Sequence, residues 1–265
     1  MIKTDLSDTS SFRKIITHKG LFSVIEYDKD ISIAPQNAQE LYYASLMNVR
    51  KRQLIATLDG SLGIKVQAGE MQCILGSIIA SPDIQGPGDF VSKFVKSKVT
   101  GEKTVKPHYE GIGTVILEPS YKYIILQEIG SWKDGMVIED GMFLACDDNV
   151  HLDIDSRKHF SSLFLGNEGI FNTVLTGSGI VALESMVPAE ELITIDIEND
   201  IVKIDGDMAV AWSASLDFSV DTATNTFIGS LVSGEGLVNV YSGSGRVLMA
   251  PVRKNRNISV PKDDK

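Results

Sequence analysis

Apolar and polar residues alternate strictly over two stretches of the chain. Val150, Leu152 and Ile154 are interleaved with Asn149, His151, Asp153 and Asp155, and Leu216, Phe218 and Val220 with Ser215, Asp217, Ser219 and Asp221. Successive side chains of a strand point to opposite faces, so this period of two predicts strands with one wet face. Shorter β-rich runs, Thr114 to Leu117, Tyr123 to Leu126, Ile193 to Ile197 and Val247 to Met249, are punctuated by glycine, Asn-Asp and Lys-Asp pairs. That spacing belongs to antiparallel sandwiches. One stretch departs from it: Ala38 to Met47 contains neither Gly nor Pro and favours helix, with strand patterns before it at Leu21 to Tyr27 and after it at Gln53 to Thr57. The expected fold is an all-β antiparallel sandwich with one N-terminal helix.

The chain also resembles itself. Gly111-Ile112-Gly113-Thr114-Val115-Ile116-Leu117, Gly177-Ser178-Gly179-Ile180-Val181-Ala182-Leu183 and Gly243-Ser244-Gly245-Arg246-Val247-Leu248-Met249 follow one another at steps of 66 residues (177 − 111 and 243 − 177). Without a gap, the same offset superposes Leu126 on Leu192, Ile129 on Ile195, Ile138 on Ile204, Ala145 on Ala211 and Asp155 on Asp221. Turn signals at Gly101-Glu102, Asn167-Glu168 and Gly234-Glu235 precede the three Gly-x-Gly elements. The resulting division is an N-terminal segment, 1–54, packed on a repeat body, 55–252, with units at about 55–118, 121–184 and 187–250, and a charged tail, 253–265. Units of this size are near the lower limit for burying a core alone, so they are expected to pack together around a pseudo-threefold axis, an open tandem row being the alternative. The six glycines, Gly111, Gly113, Gly177, Gly179, Gly243 and Gly245, are read as corners that turn the chain between sheets.

Chemistry-bearing patterns are sparse. A dinucleotide fingerprint needs a third glycine where Ile116, Ala182 and Leu248 stand, and no phosphate loop, nucleophile elbow or zinc helix is present. The best polar cluster is His151, Asp153 and Asp155, which on a strand share one face and are weak candidates for a metal or acid-base surface; Leu152 sits where a calcium loop requires glycine. Cys73 and Cys146 lie among apolar neighbours, where a thiol behaves as a small hydrophobe, and no cofactor is expected. With 35 acids against 25 bases over 265 residues, the net charge is −10, and the field of the molecule repels nucleic acid and anionic lipid. Lys93, Lys96, Lys98, Lys103 and Lys106, with Phe90 and Phe94 between them, form the basic stretch, read as a solvated edge. No apolar run is long enough to span a bilayer and the start lacks the marks of a signal peptide, so the expected compartment is the cytoplasm, with peripheral membrane contact left open.

Asp140-Gly141-Met142-Phe143-Leu144-Ala145, Thr176 to Ser185 and Gly234 to Gly245 resemble segments of the family named for altered inheritance of mitochondria, over roughly residues 60 to 252. The resemblance implies a β-sandwich of the type seen in the trp RNA-binding attenuation protein, a non-enzymatic role, and in mitochondria a link to inner-membrane organisation. It supplies no catalytic residues, and a helix near residues 37 to 52 is atypical of that family. The expected function is a non-enzymatic scaffold or interaction protein with protein partners or self-association. A small-molecule or metal-binding module and an enzyme with a site at unit interfaces are the alternatives.

Overall fold

A computed structural model describes residues 2–6, 8–82, 106–154, 172–205, 208–222 and 237–252. The N-terminal part holds strands β1 (Arg13–Lys19) and β2 (Phe22–Tyr27), helix α1 (Ala38–Leu46) and strand β3 (Arg52–Asp59). There follow β4 (Ile64–Val66), β5 (Met71–Pro82), β6 (Pro107–Leu117), β7 (Tyr123–Glu128), β8 (Met136–Ile138), β9 (Phe143–Asp147) and β10 (Val150–Ile154). The last six are β11 (Thr173–Gly177), β12 (Ile180–Ser185), β13 (Ile193–Asp205), β14 (Ala209–Ser213), β15 (Asp217–Thr222) and β16 (Leu237–Met249). The protein is all-β apart from α1, as the alternation predicts. Two antiparallel sheets form a barrel-like sandwich, one ordered β1-β2-β3-β6-β4-β9-β12-β7 with β5 also on β6, the other β10-β11-β8-β14-β16-β13 with β15 also on β16.

The helix is shorter than the pattern suggests. Asn48 takes a left-handed φ of 63° and ends it, and β3 begins at Arg52. No residue of α1 is buried, and Tyr42, Tyr43 and Leu46 are exposed. What anchors this region is β3, which continues across residues 54 and 55, so the N-terminal strands and the body share one sheet.

Pairings within the sheets recur along the chain. Opposite the strands that carry Gly-x-Gly, Ile74, Cys73 and Met71 pair Val115, Ile116 and Leu117; Cys146, Ala145 and Phe143 pair Val181, Ala182 and Leu183; Trp212, Ala211 and Ala209 pair Val247, Leu248 and Met249. Each set steps over one residue at the same place, a β-bulge that inserts one extra residue into the ladder. Five residues further on, in the same strand β5 and in the following strands β10 and β15, the register is kept: Ile79 pairs Glu110, His151 pairs Thr176 and Asp217 pairs Ser242. The strand on the other side is displaced: Leu126 faces Ala182 whereas Thr194, 68 residues on (194 − 126), faces Leu248. The gapless match of Leu126 to Leu192 in this strand, and of Ile129 to Ile195 just after it, is therefore corrected by two residues. A bulge in β13 between Ile197 and Asp200, with Asn199 at φ 50°, accompanies the difference.

Two short ladders join these groups of strands. Between β4 and β9, Val66 pairs Ala145, Lys65 pairs Cys146 and Ile64 pairs Asp147. Between β8 and β14, Ile138 pairs Ala211, Val137 pairs Trp212 and Met136 pairs Ser213. The residues on the second strand of each ladder stand 66 apart (211 − 145, 212 − 146, 213 − 147). Among the described residues three apolar clusters fill the interior: one around Phe22, Leu54, Val115 and Leu126, one around Met136, Phe143, Leu175 and Val181, and one around Trp212, Tyr241 and Val247. In the third, Trp212, Phe218 and Tyr241 stand with ring centroids 5.3 to 5.5 Å apart.

Candidate functional site

The glycines are placed by backbone crowding. At Gly177-Ser178-Gly179 the chain leaves β11 in one sheet and enters β12 in the other. Gly179 has φ 131°, and a Cβ there would lie 2.8 Å from Asp147 Oδ2. That carboxylate oxygen accepts a 2.7 Å hydrogen bond from the Ile180 N–H. The counterpart contact, 66 residues on (213 − 147, 246 − 180), is the Ser213 hydroxyl accepting from the Arg246 N–H at 2.9 Å. Gly113, inside the continuous β6, has φ 154°, and its Cβ would stand 2.1 Å from the Leu75 carbonyl oxygen. Gly243, inside the continuous β16, is less crowded, its nearest atom 3.8 Å away. Each of these neighbours is an atom of the strand or turn alongside.

A polar cluster that the sequence reading missed lies at the β4–β9 ladder. Lys65 Nζ donates to the backbone oxygens of Asp148, at 2.8 Å, and Val150, at 3.1 Å. It also lies 3.3 Å from Asp148 Oδ1, and His108 Nε2 approaches the same oxygen at 3.4 Å. Lys106, assigned above to a solvated edge, is instead buried: it bonds Gln67 and stands 5.0 Å over the Phe143 ring. Lys93, Lys96, Lys98 and Lys103 lie outside the described residues. Burial pushes the Asp147 carboxyl above the ordinary carboxylate range, and its Oδ1 has no hydrogen-bond partner among the described residues. The neighbouring Cys146 thiol is pushed up to about 12, chiefly by desolvation, so at neutral pH it is held protonated. The signal that this cluster existed, Lys65 in an apolar Ile-Lys-Val triplet, is too short to read as anything but a strand.

A second polar network supports the N-terminal strands. Arg52, 2% exposed, donates to Glu26 at 2.7 Å and stacks 4.1 Å over the Tyr123 ring; Arg50 bridges Glu26 and Asp28, both at 2.9 Å. These pairings fasten β2 to the start of β3 and keep the Arg52 guanidinium from water, Arg50 staying partly exposed.

His151 and Asp153, the weak metal candidates, occupy β10 and point outward, both exposed, opposite Thr176 and Val174. Asp155 lies outside the described residues. Among the described residues no group of three or more His, Cys, Asp or Glu side chains is arranged to hold a metal ion. The turn signals at 101–102, 167–168 and 234–235 and the tail 253–265 likewise lie outside them.

An all-β antiparallel sandwich whose crowded glycines serve the backbone, and whose polar clusters tie strands together, defines a structural class rather than a chemistry. Within that class the chain belongs to the mitochondrial biogenesis AIM24 family, whose model matches residues 45–252. The match opens at the end of α1. An uncharacterised protein of Streptococcus pyogenes serotype M6 is 26% identical over 197 residues, covering 72% of this chain and 77% of its own. The X-ray crystal structure of a Streptococcus pyogenes protein, solved by a structural genomics consortium, shares the fold with a TM-score of 0.56 at 24% identity, over 77% of this chain and 89% of that one.

Proposed function

We propose that this protein is a non-enzymatic scaffold that works by offering sheet edges and faces to other proteins. The observation that supports it is β5: twelve residues, Met71–Pro82, paired on one side to β6 and carrying no charged side chain. Soluble proteins normally guard a long edge strand with charge, proline or a cover, because its free N–H and C=O groups recruit other strands. On one face of the β5–β6 ladder, Ile79 is 66% exposed and Ile112 65%, diagonal to one another, Ile79 pairing Glu110 and Ile112 pairing Ser77. This is the composition of a contact surface.

The proposal carries with it the reading of the body as three copies of one module, resting on the recurring pairings and the 66-residue step (177 − 111, 243 − 177). It also retains the cytoplasm as the compartment. Among the described residues no helix is long and apolar enough to cross a membrane. The test is affinity capture with the full chain, its Ile79→Lys/Ile112→Lys variant, and a variant with His18, His108, His151 and His159 all replaced by alanine. Captured proteins should be lost with the first variant and retained with the second. The reverse outcome would move the function to a histidine-dependent site.

A further inference from the structure

The two ladders that join successive groups of strands share one register, and the chain contains the two edges for a third. In the β4–β9 ladder Val66, Lys65 and Ile64 pair Ala145, Cys146 and Asp147; in the β8–β14 ladder Ile138, Val137 and Met136 pair Ala211, Trp212 and Ser213. Both are buried, with Ile64, Val66, Ala145 and Cys146 at 0% and Met136 and Ile138 at 0% exposure. By their pairing to β6, Cys73, Ile74 and Leu75 of β5 hold the places of Ala145, Cys146 and Asp147. By their pairing to β16, Ile204, Lys203 and Val202 of β13 hold the places of Ile138, Val137 and Met136. No described strand pairs with the outer edge of β5 or of β13, and Cys73, Ile74, Leu75 and Val202 are only half-buried.

We infer that a second copy of this chain supplies the missing partner, β5 of one copy pairing antiparallel with β13 of another so that Cys73 faces Ile204, Ile74 faces Lys203 and Leu75 faces Val202. This rests on the scaffold reading above and names its first partner. Lys203 supports the assignment. It stands in the central row of the ladder, where Lys65 stands in the first, and Lys65 reaches across to the carbonyls of Asp148 and Val150. The corresponding carbonyls on β5 are those of Gly76 and Ile78, since Ile78 pairs Gly111 as Val150 pairs Gly177. In the single chain Lys203 instead makes an exposed 3.2 Å ion pair with Asp221. Because each copy carries both edges, the contact is head-to-tail and builds a reciprocal pair or a ring where the rotation closes and an open filament where it does not.

Sedimentation equilibrium of the full chain over a range of concentrations is the first test, with species at integer multiples of 28.9 kDa expected. In the Leu75→Asp variant, a half-exposed position outside all three apolar clusters, the multiples should collapse to the monomer. Mild oxidation of the Ile204→Cys variant should then link Cys73 of one chain to the introduced thiol of another, giving covalent multimers on a non-reducing gel and one cross-linked peptide pair in mass spectrometry. A monomer at every concentration, a cross-link within one chain, or assembly unaffected by Leu75→Asp would each overturn the inference. A chain that captures other proteins through Ile79 and Ile112 yet sediments as a monomer overturns this inference alone and leaves the scaffold reading in place.

Discussion

Replacing Gly113 with alanine perturbs the body at its most crowded point. The added methyl would stand 2.1 Å from the Leu75 carbonyl oxygen and 3.1 Å from Gly76 Cα, both fixed backbone of the neighbouring strand. At φ 154° an L-residue is itself strained, by roughly 1 to 3 kcal/mol. Relieving the contact requires β5 to move by about 1 Å, which weakens the Leu75–Thr114 pairing and repacks its surroundings at about another 1 to 3 kcal/mol. The expected loss is on the order of 4 kcal/mol, a fall in Tm of about 10 °C for a chain of this length. Two controls isolate the steric part: Gly141→Ala, with φ 75° and no atom within 4 Å, and Gly243→Ala, with φ 113° and its nearest atom at 3.8 Å. Both should lose only the dihedral share, about 1 to 2 kcal/mol. Differential scanning calorimetry with urea unfolding reads all three. If Gly113→Ala melts with or above the two controls, the close approach of β5 and β6 does not constrain this glycine and the reasoning fails.

Glu26→Ala strips the buried Arg52 guanidinium of its carboxylate and should destabilise by about 3 kcal/mol, read by urea unfolding; a loss under about 0.5 kcal/mol would show the pair to be solvated. Asp147 has a raised native pKa, so between the ordinary carboxylate value and that raised one the native state binds more protons than the unfolded chain, and stability falls as pH rises through the interval. Asp147→Asn keeps an acceptor for the Ile180 N–H and removes the slope, so its stability relative to the parent should rise as the pH climbs from the ordinary carboxylate range towards neutral in urea melts, and a pH-independent difference would contradict the raised carboxyl. A thiol reagent at about pH 8 should modify Cys73 in the native protein but leave Cys146 untouched until denaturant is added, and Cys73 should react faster as the protein is diluted. Equal reactivity of both thiols would contradict the burial of Cys146. Trp212→Ala removes one ring of the packed trio with Phe218 and Tyr241 and should lose about 3 to 5 kcal/mol of unfolding free energy.

Much of the fold was legible because alternation is a local signal. β10 and β15 stand where strict period two places them, and β2 and β3 flank a helix whose boundaries the absence of Gly and Pro outlines. Length was less legible: β13 and β16 each run for thirteen residues through Asn199 and through the Gly-x-Gly at 243–245, where the sequence shows breaks. A bulge lets a ladder continue past such a residue, and only the partner strand reveals it. β1 was invisible because Ile15, Ile16 and Thr17 do not alternate cleanly, a shift in register with β2 falling within that run. The polar clusters were hidden for a different reason. Lys65 and His108 come from β4 and β6 and Asp148 from the turn between β9 and β10, and Glu26, Arg50 and Arg52 become partners only once β2 lies on β3, so no spacing along the chain announces either. Conversely His151 and Asp153 were easy to see because they are neighbours in sequence, and both face outward from β10.

The most direct measurement is hydrogen exchange by mass spectrometry on the full chain at low and high concentration. Ladders made within the chain should keep Ile64–Val66 and Met136–Ile138 protected at both concentrations, whereas Met71–Leu75 and Val202–Ile204 should exchange rapidly when dilute and gain protection together as concentration rises. Protection of those two edges that is independent of concentration, or gained by one without the other, would contradict a third joint made between copies.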